Sequence, residues 1–215
     1  MPGRKIPEEQ RREGILRAAF AVAAREGLAG VTARAVAAEA GVSSGLVFFH
    51  FGTVDALLAG LLEWLLAHTF VAAELPPAAA PNASAAARML AAVRRDLDAL
   101  PRARRRVELF FDYWVLGTRD PAVRGTIRGA LDRYRAAFLP LATAVVAEAP
   151  PGRYGPDGAA GLATVAATFV EGCALHVVLD PAGFDVDAAM ATLAALVRAP
   201  AAPSPAAPSL PVPDA

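Results

Sequence analysis

Hydrophobic positions recur along the chain with a period near 3.6. No alternating run of β-branched and aromatic residues bounded by hairpin turns interrupts them. The pattern predicts an all-α fold of about nine helices. The first spans about Glu8 to Glu26, with Ile15, Leu16, Ala19, Phe20 and Ala23 on one face, and Gly27 stops it. A short second helix follows Thr32, whose hydroxyl can cap it by accepting from an orphan backbone N–H one turn in. Gly41, able to take a left-handed backbone without steric cost, ends it. Ser43 can cap a third helix, in which Val47 and Phe51 stand four apart and share one face. A fourth begins near Thr53, with Asp55 in its first turn, and carries leucines from Leu57 to Leu66, potentially to Ala73.

Three prolines in Leu75 to Ser84 break the regularity, and Asn82 or Ser84 offers the next cap. A fifth helix is expected from about Ala85 to Leu100, stopped before Pro101. A sixth follows on Val107, Phe110, Phe111, Trp114 and Val115. After Asp120 and Pro121 comes the most continuous stripe, Val123, Ile127, Leu131, Tyr134, Phe138, Leu141 and Val145, with Pro140 predicting a kink. The last two helices run about Ala159 to Leu179 and Val186 to Arg198, turned by Asp180, Pro181 and Gly183. From Ala199 onward, six prolines in 17 residues leave little to bury, and this tail is expected to be disordered.

Thr32 to Phe51 organises the rest. Two short helices separated by a three-residue turn form a helix-turn-helix, whose second helix lies in the major groove of DNA while its back packs on a small core. Ser44, Gly45, Leu46, Phe48, Phe49 and His50 fall largely off the buried face and are the residues placed toward DNA. Gly45 permits close backbone approach, Ser43 or Ser44 can donate to a phosphate, and the apolar groups can meet thymine methyls. Thr32, Arg34 and Thr53, at helix starts, complete the set. The alternative for Phe48 and Phe49 is core, although both cannot easily face inward beside Val47 and Phe51.

In those residues and the helices around them, the chain resembles the TetR family of transcriptional regulators. The likeness runs from the first helix through Val31, Thr32, Val36, Ala40, Gly41, Ser43, Gly45, Val47, Phe48, Phe49, His50 and Phe51 to Asp55, Leu57 and Leu58. Leu109 to Leu179, with the LDPAGFD turn after it, is also similar to the later domain of regulators of the choline and pyrimidine repressor type. The resemblance implies a regulator, usually a repressor, that binds a palindromic double-stranded DNA operator as a homodimer through its last two helices. A small-molecule effector would release it. It implies a DNA-binding head at 1–52, a ligand-binding and dimerisation bundle at 53–198 and the tail at 199–215. Family members usually carry a tyrosine where Phe48 stands and lysines near Gly52 and Val54. Their absence here implies fewer phosphate contacts and a shallower salt dependence, with Arg4, Lys5, Arg11 and Arg12 able to compensate.

Composition changes the picture only slightly. Formal charge is zero, from 21 basic and 21 acidic residues, yet 1–54 holds seven basic against five acidic. The bias permits DNA binding without arguing for it. With 55% hydrophobic residues the chain can bury a sizeable core. One cysteine, Cys173, excludes an intramolecular disulfide and fits a cytoplasmic setting. Ala56 to Ala73 and Ala159 to Leu179 are long enough to cross a bilayer, but Glu63, His68, Glu171 and His176 inside them favour helices of a soluble bundle, with no membrane partner.

Aromatic residues concentrate in the later helices, and an apolar cavity among helices is a normal small-molecule site. The candidate lining is Phe110, Phe111, Trp114, Tyr134, Phe138, Phe169, Cys173 and His176, with Glu108, Asp112 and Glu171 as further polar groups. Cys173 and His176 are read as packing residues rather than nucleophile or base. The six arginines from Arg94 to Arg106 are read as a solvated face. No phosphate loop, cysteine pair or His-x-x-x-His is present, so no enzyme activity, cofactor or metal is expected. The runner-up is a helical small-molecule-binding protein or enzyme whose head no longer serves DNA.

Overall fold

The computed structural model describes residues 7–69 and 83–198. Among them are eight α-helices and no strand: α1 Glu8–Glu26, α2 Ala33–Ala40, α3 Ser44–Phe51, α4 Val54–Thr69, α5 Ala85–Gly117, α6 Pro121–Glu148, α7 Gly158–Leu179 and α8 Val186–Arg198. Arg4, Lys5, any extension of α4 past Thr69, most of the proline-rich loop, and the tail lie outside the described residues.

One boundary corrects the sequence expectation. The break predicted before Pro101 does not occur, and what read as two helices is α5, continuous over 33 residues. Proline removes one i→i−4 bond and crowds the preceding turn, at about 3 kcal/mol or more. Here Leu97, Leu100, Ala103 and Val107 are buried on one side while Pro101 faces outward. Burial of that stripe, at roughly 1.5–3 kcal/mol for each large apolar side chain, outweighs the local cost. The next helix, α6, likewise runs unbroken through Pro140.

Two apolar cores organise the chain. One joins α1, α2, α3 and α4 around Ile15, Leu16, Val22, Val36, Val47 and Leu61, and it extends into Leu109, Phe110 and Tyr113 of α5 and Ile127 of α6. The other lies within α5, α6, α7 and α8 around Val93, Tyr134, Phe138, Ala142, Ala166 and Leu193. Tyr113 donates its hydroxyl to the Leu58 carbonyl at 2.8 Å, pinning α5 to α4, and burial pushes its pKa up. Gly60 lets α4 pass close to its neighbours. A Cβ there would stand 3.1 Å from Cε1 of Phe51 and 3.3 Å from the Arg12 guanidinium, which itself lies 5.0 Å over the Phe51 ring. Where the chain turns from α6 to α7, Arg153 and Tyr154 donate to the Val197 carbonyl at 3.0 Å each, satisfying an orphan group at the C-terminus of α8.

Candidate functional site

The turn between α2 and α3 is built from its own caps. Thr32 Oγ1 accepts from Ala35 N–H at 3.1 Å and starts α2. Gly41, at φ 64°, ends it: the Val42 N–H reaches the Ala37 carbonyl and the Gly41 N–H the Ala38 carbonyl. Those are the two bonds of a Schellman motif, which needs one left-handed residue. Ser43 Oγ then accepts from Leu46 N–H at 3.2 Å to start α3, and Thr53 Oγ1 from Ala56 N–H at 3.0 Å to start α4. All three hydroxyls use an acceptor site for capping and keep an O–H to donate outward, and all three residues are exposed.

Of the other residues placed toward DNA, Phe49 is 75% and Phe48 47% exposed, while Val47 and Phe51 are buried beneath them. Core packing therefore does not account for the two outward rings. Arg34 and Gly45 are exposed, and Ser44 and Leu46 are half-buried. A Cβ added to Gly45 would meet only Ser43 Oγ, at 3.8 Å, so nothing inside the protein requires glycine there. His50 sits differently. It is half-buried, its ring meets Phe49 edge-on at 5.3 Å, and its Nε2 is enclosed without a hydrogen-bond partner.

The larger helices enclose a cavity of about 650 Å³ between the end of α4, α5, α6 and α7. That is room for a small organic molecule. Four of the aromatic candidates, Phe110, Phe111, Trp114 and Tyr134, line it. The other four candidates lie elsewhere. Phe138 is buried beneath Tyr134, edge-on at 5.4 Å, and Phe169 and Cys173 pack into the second core. His176 stacks on Phe184 at 4.8 Å in the α7–α8 corner. On α7 the cavity-facing residues are Val170, Glu171, Ala174 and Leu175, with Phe169 and Cys173 one position off that face. Of the further polar groups Glu108, Asp112 and Glu171, Glu171 alone lines the cavity.

Sequence reading missed most of the polar lining: His68 and Thr69 at the end of α4, and Arg95, Asp96 and Arg106 on α5. Asp96 is held by Arg95 at 3.0 Å and accepts from the Tyr134 hydroxyl at 2.8 Å. Burial, with the Asp96 charge added, pushes the Tyr134 phenol up. Glu171 is also pushed up by burial, partly offset by the Arg135 charge. Arg94 and Arg104, by contrast, are tied to surface carboxylates, Arg94 to Asp98 and Asp187 and Arg104 to Glu108. The one signal that could have separated cavity arginines from surface ones is helical phase. Arg95, Ala99, Ala103, Arg106 and Phe110 form one stripe, but only if the helix passes through Pro101.

A chain of contacts runs from this cavity to the head. The His68 ring stacks on Trp64 at 4.3 Å, and the Trp64 indole N–H donates to both carboxylate oxygens of Glu13 on α1, at 2.9 and 3.0 Å. That hydrogen bond is the main reason the Glu13 carboxyl lies below its ordinary pKa, with burial opposing it and Arg17 adding to it.

A capped helix-turn-helix with an outward aromatic face, joined through a shared helix to a bundle with a ligand-sized cavity, defines a one-component DNA-binding regulator. Comparison with known proteins agrees. Residues 15–61 match the family model described as bacterial regulatory proteins, tetR family, and residues 85–201 match the one described as BetI-type transcriptional repressor, C-terminal. The chain belongs to the TetR family of transcriptional regulators and carries a C-terminal domain of the BetI type.

Solved structures agree in fold. A transcriptional regulator from Rhodococcus sp. Rha1 is 25% identical, with 86% of this chain and 93% of that one aligned at a TM-score of 0.66. A putative transcriptional regulator from Saccharomonospora viridis in complex with choline is 23% identical over 86% and 94%, at 0.68. One from Pseudomonas aeruginosa PAO1 is 22% identical over 90% of each chain, at 0.72. No curated protein matches significantly.

Proposed function

We propose that this regulator is a repressor that binds a palindromic operator as a homodimer and is released when a small molecule enters the cavity between α4 and α7. The observation carrying this reading is the position of α4. Its buried leucines belong to the head core, while its last described residues, His68 and Thr69, line the cavity. An occupant that moves His68 moves Trp64, and with it the Glu13 contact on α1. The sixteen described residues of α4 span about 24 Å, so a tilt of about 5° displaces one end of that span by roughly 2 Å. Two heads must fit grooves about 34 Å apart, and displacements of that size in both protomers spoil the match. The ligand's differential affinity for the two states must supply the free energy. Toward DNA we assign Thr32, Arg34, Ser43, Ser44, Gly45, Leu46, Phe48, Phe49 and Thr53.

Homodimerisation is supported by α7. Gly161, Val165, Thr168, Gly172, Leu175 and Leu179 follow 4-3-4-3-4 spacing, fall on one face and are all exposed. Gly161 and Gly172 have nothing within 4 Å of an added Cβ. A small-and-apolar seam of this kind suits a second helix at close range and matches its own copy about a two-fold axis. It also accounts for α7 being the one described helix long and apolar enough to cross a membrane, with only a third of its apolar window buried. A cytoplasmic regulator without enzymatic activity is the setting this reading requires.

Selection of random duplex DNA by the purified full chain, followed by footprinting, tests it. The expected result is one inverted repeat protected by a dimer. Recovery of no common sequence, or protection of a single half-site by a monomer, overturns it.

A further inference from the structure

From the charges around the cavity we infer that its ligand is an anion, a carboxylate on an aromatic or aliphatic body, held by Arg106 with Thr69 beside it. This rests on the reading of the cavity as the effector site and names the class of effector.

Four charged or ionisable groups on α5 and α7 line the cavity: Arg95, Asp96, Arg106 and Glu171. Three of them are already answered. The Asp96 side chain, 13% exposed, is engaged by the Arg95 guanidinium on one oxygen and by the Tyr134 hydroxyl on the other. Glu171, the remaining acid, sits where burial favours its uncharged form, and Arg135 stands as its counter-charge. Arg106 has neither answer. It forms no ion pair among the described residues, and its Nε is enclosed with no hydrogen-bond partner. Thr69 Oγ1 is the second enclosed polar atom without a partner, and Thr69 lines the same cavity from the end of α4.

Buried donors are nearly always satisfied, and a guanidinium has five N–H groups arranged to grip a carboxylate with two parallel bonds. Two orphan groups on the wall of one cavity, one of them cationic, mark where a ligand's negative end belongs. The remaining wall supplies the body. Phe110, Phe111, Trp114 and Val107 present apolar and aromatic surface, which suits a hydrocarbon and gives a bare inorganic anion little to bind. A cation would face the same rings but find Asp96 already engaged and Glu171 where burial disfavours its charge. Placement of Thr69 also links recognition to response, since an anion bonded to it holds the last described residue of α4.

The test uses three ligands with one body, 4-phenylbutyrate, 4-phenylbutan-1-ol and 4-phenylbutylammonium, titrated calorimetrically into the full-length protein. The carboxylate is expected to bind at least about tenfold tighter than either of the others, the scale of one hydrogen bond to a charged group. In Arg106→Gln that preference should fall to within about twofold, and Arg106→Lys should keep part of it. Equal or tighter binding of the ammonium or the alcohol, or no carboxylate binding at millimolar concentration, overturns the inference. Should the Gln variant fail to fold, the ranking on the native protein and on Arg106→Lys decides. A parallel gel shift on the selected DNA separates the two claims. Carboxylate that binds but leaves DNA binding unchanged sinks the effector reading and keeps the ligand class. DNA binding without carboxylate binding does the reverse.

Discussion

Replacing Gly45 by alanine should move stability and DNA affinity in opposite directions. Gly45 is the second residue of α3, its φ is not left-handed, and an added Cβ meets only Ser43 Oγ at an ordinary 3.8 Å. Alanine is favoured over glycine by up to about 1 kcal/mol in a helix interior, and in a first turn about half of that is a fair expectation. For a chain of this size the gain corresponds to a rise of roughly 1–2 °C in Tm. On the outward side the same methyl stands where the proposed DNA comes closest, at the start of the helix with its orphan N–H groups. Loss of one phosphate or base-edge hydrogen bond to that approach is worth about 1.5–3 kcal/mol, or about ten- to hundredfold in affinity. Thermal unfolding and fluorescence anisotropy on the selected operator read the two effects separately. Unchanged affinity in the stabilised variant would show that DNA does not approach Gly45, and a lowered Tm would mean that the space around it is misjudged.

Two further outcomes follow from other contacts. Trp64→Phe removes the indole N–H from Glu13 and should destabilise the protein by about 1 kcal/mol at neutral pH, a modest value because the Glu13 side chain is one-third exposed. Since the Glu13 carboxyl is lowered on folding, this contribution is full above its ordinary pKa and lost as pH falls through the lowered value. The gap between native and variant urea midpoints should therefore narrow below about pH 4, and a gap that persists there contradicts the assignment. On α7, Val165→Arg places a charge at the centre of the proposed seam and should leave a folded monomer by light scattering, with operator affinity reduced at least about a hundredfold; a variant that stays dimeric rules out that face.

Much of the head was legible from residue types, because its structure is local. Thr32, Gly41 and Ser43 act within one or two turns of themselves, and each caps or ends the helix expected of it. Val47 and Phe51 go inward by helical spacing alone, which leaves Phe48 and Phe49 outside. His50 was harder to place, since a polar ring at the edge of the buried face can turn either way, and the structure half-buries it. The cavity was legible only in part. Aromatic residues announce an apolar interior wherever they sit, but not which side of it is empty. Tyr134 and Phe138 share one stripe, yet only Tyr134 reaches the cavity, and Phe138 supports it from below.

By itself the sequence determined the class of fold, the order of the helices, the caps of the reading unit and the family likeness, all of which depend on neighbours within about one helical turn. Tertiary structure decided whether α5 continues through Pro101, because the energy that holds it is burial against α6 and α7 and is not available to an isolated segment. That single continuation sets the phase between Arg95, Arg106 and Phe110. It brings two arginines from an apparent surface run to the wall of the cavity, one already paired with Asp96 and the other without an ion-pair partner among the described residues. Which charges meet across helices is a matter of packing, and no local pattern of residues encodes it.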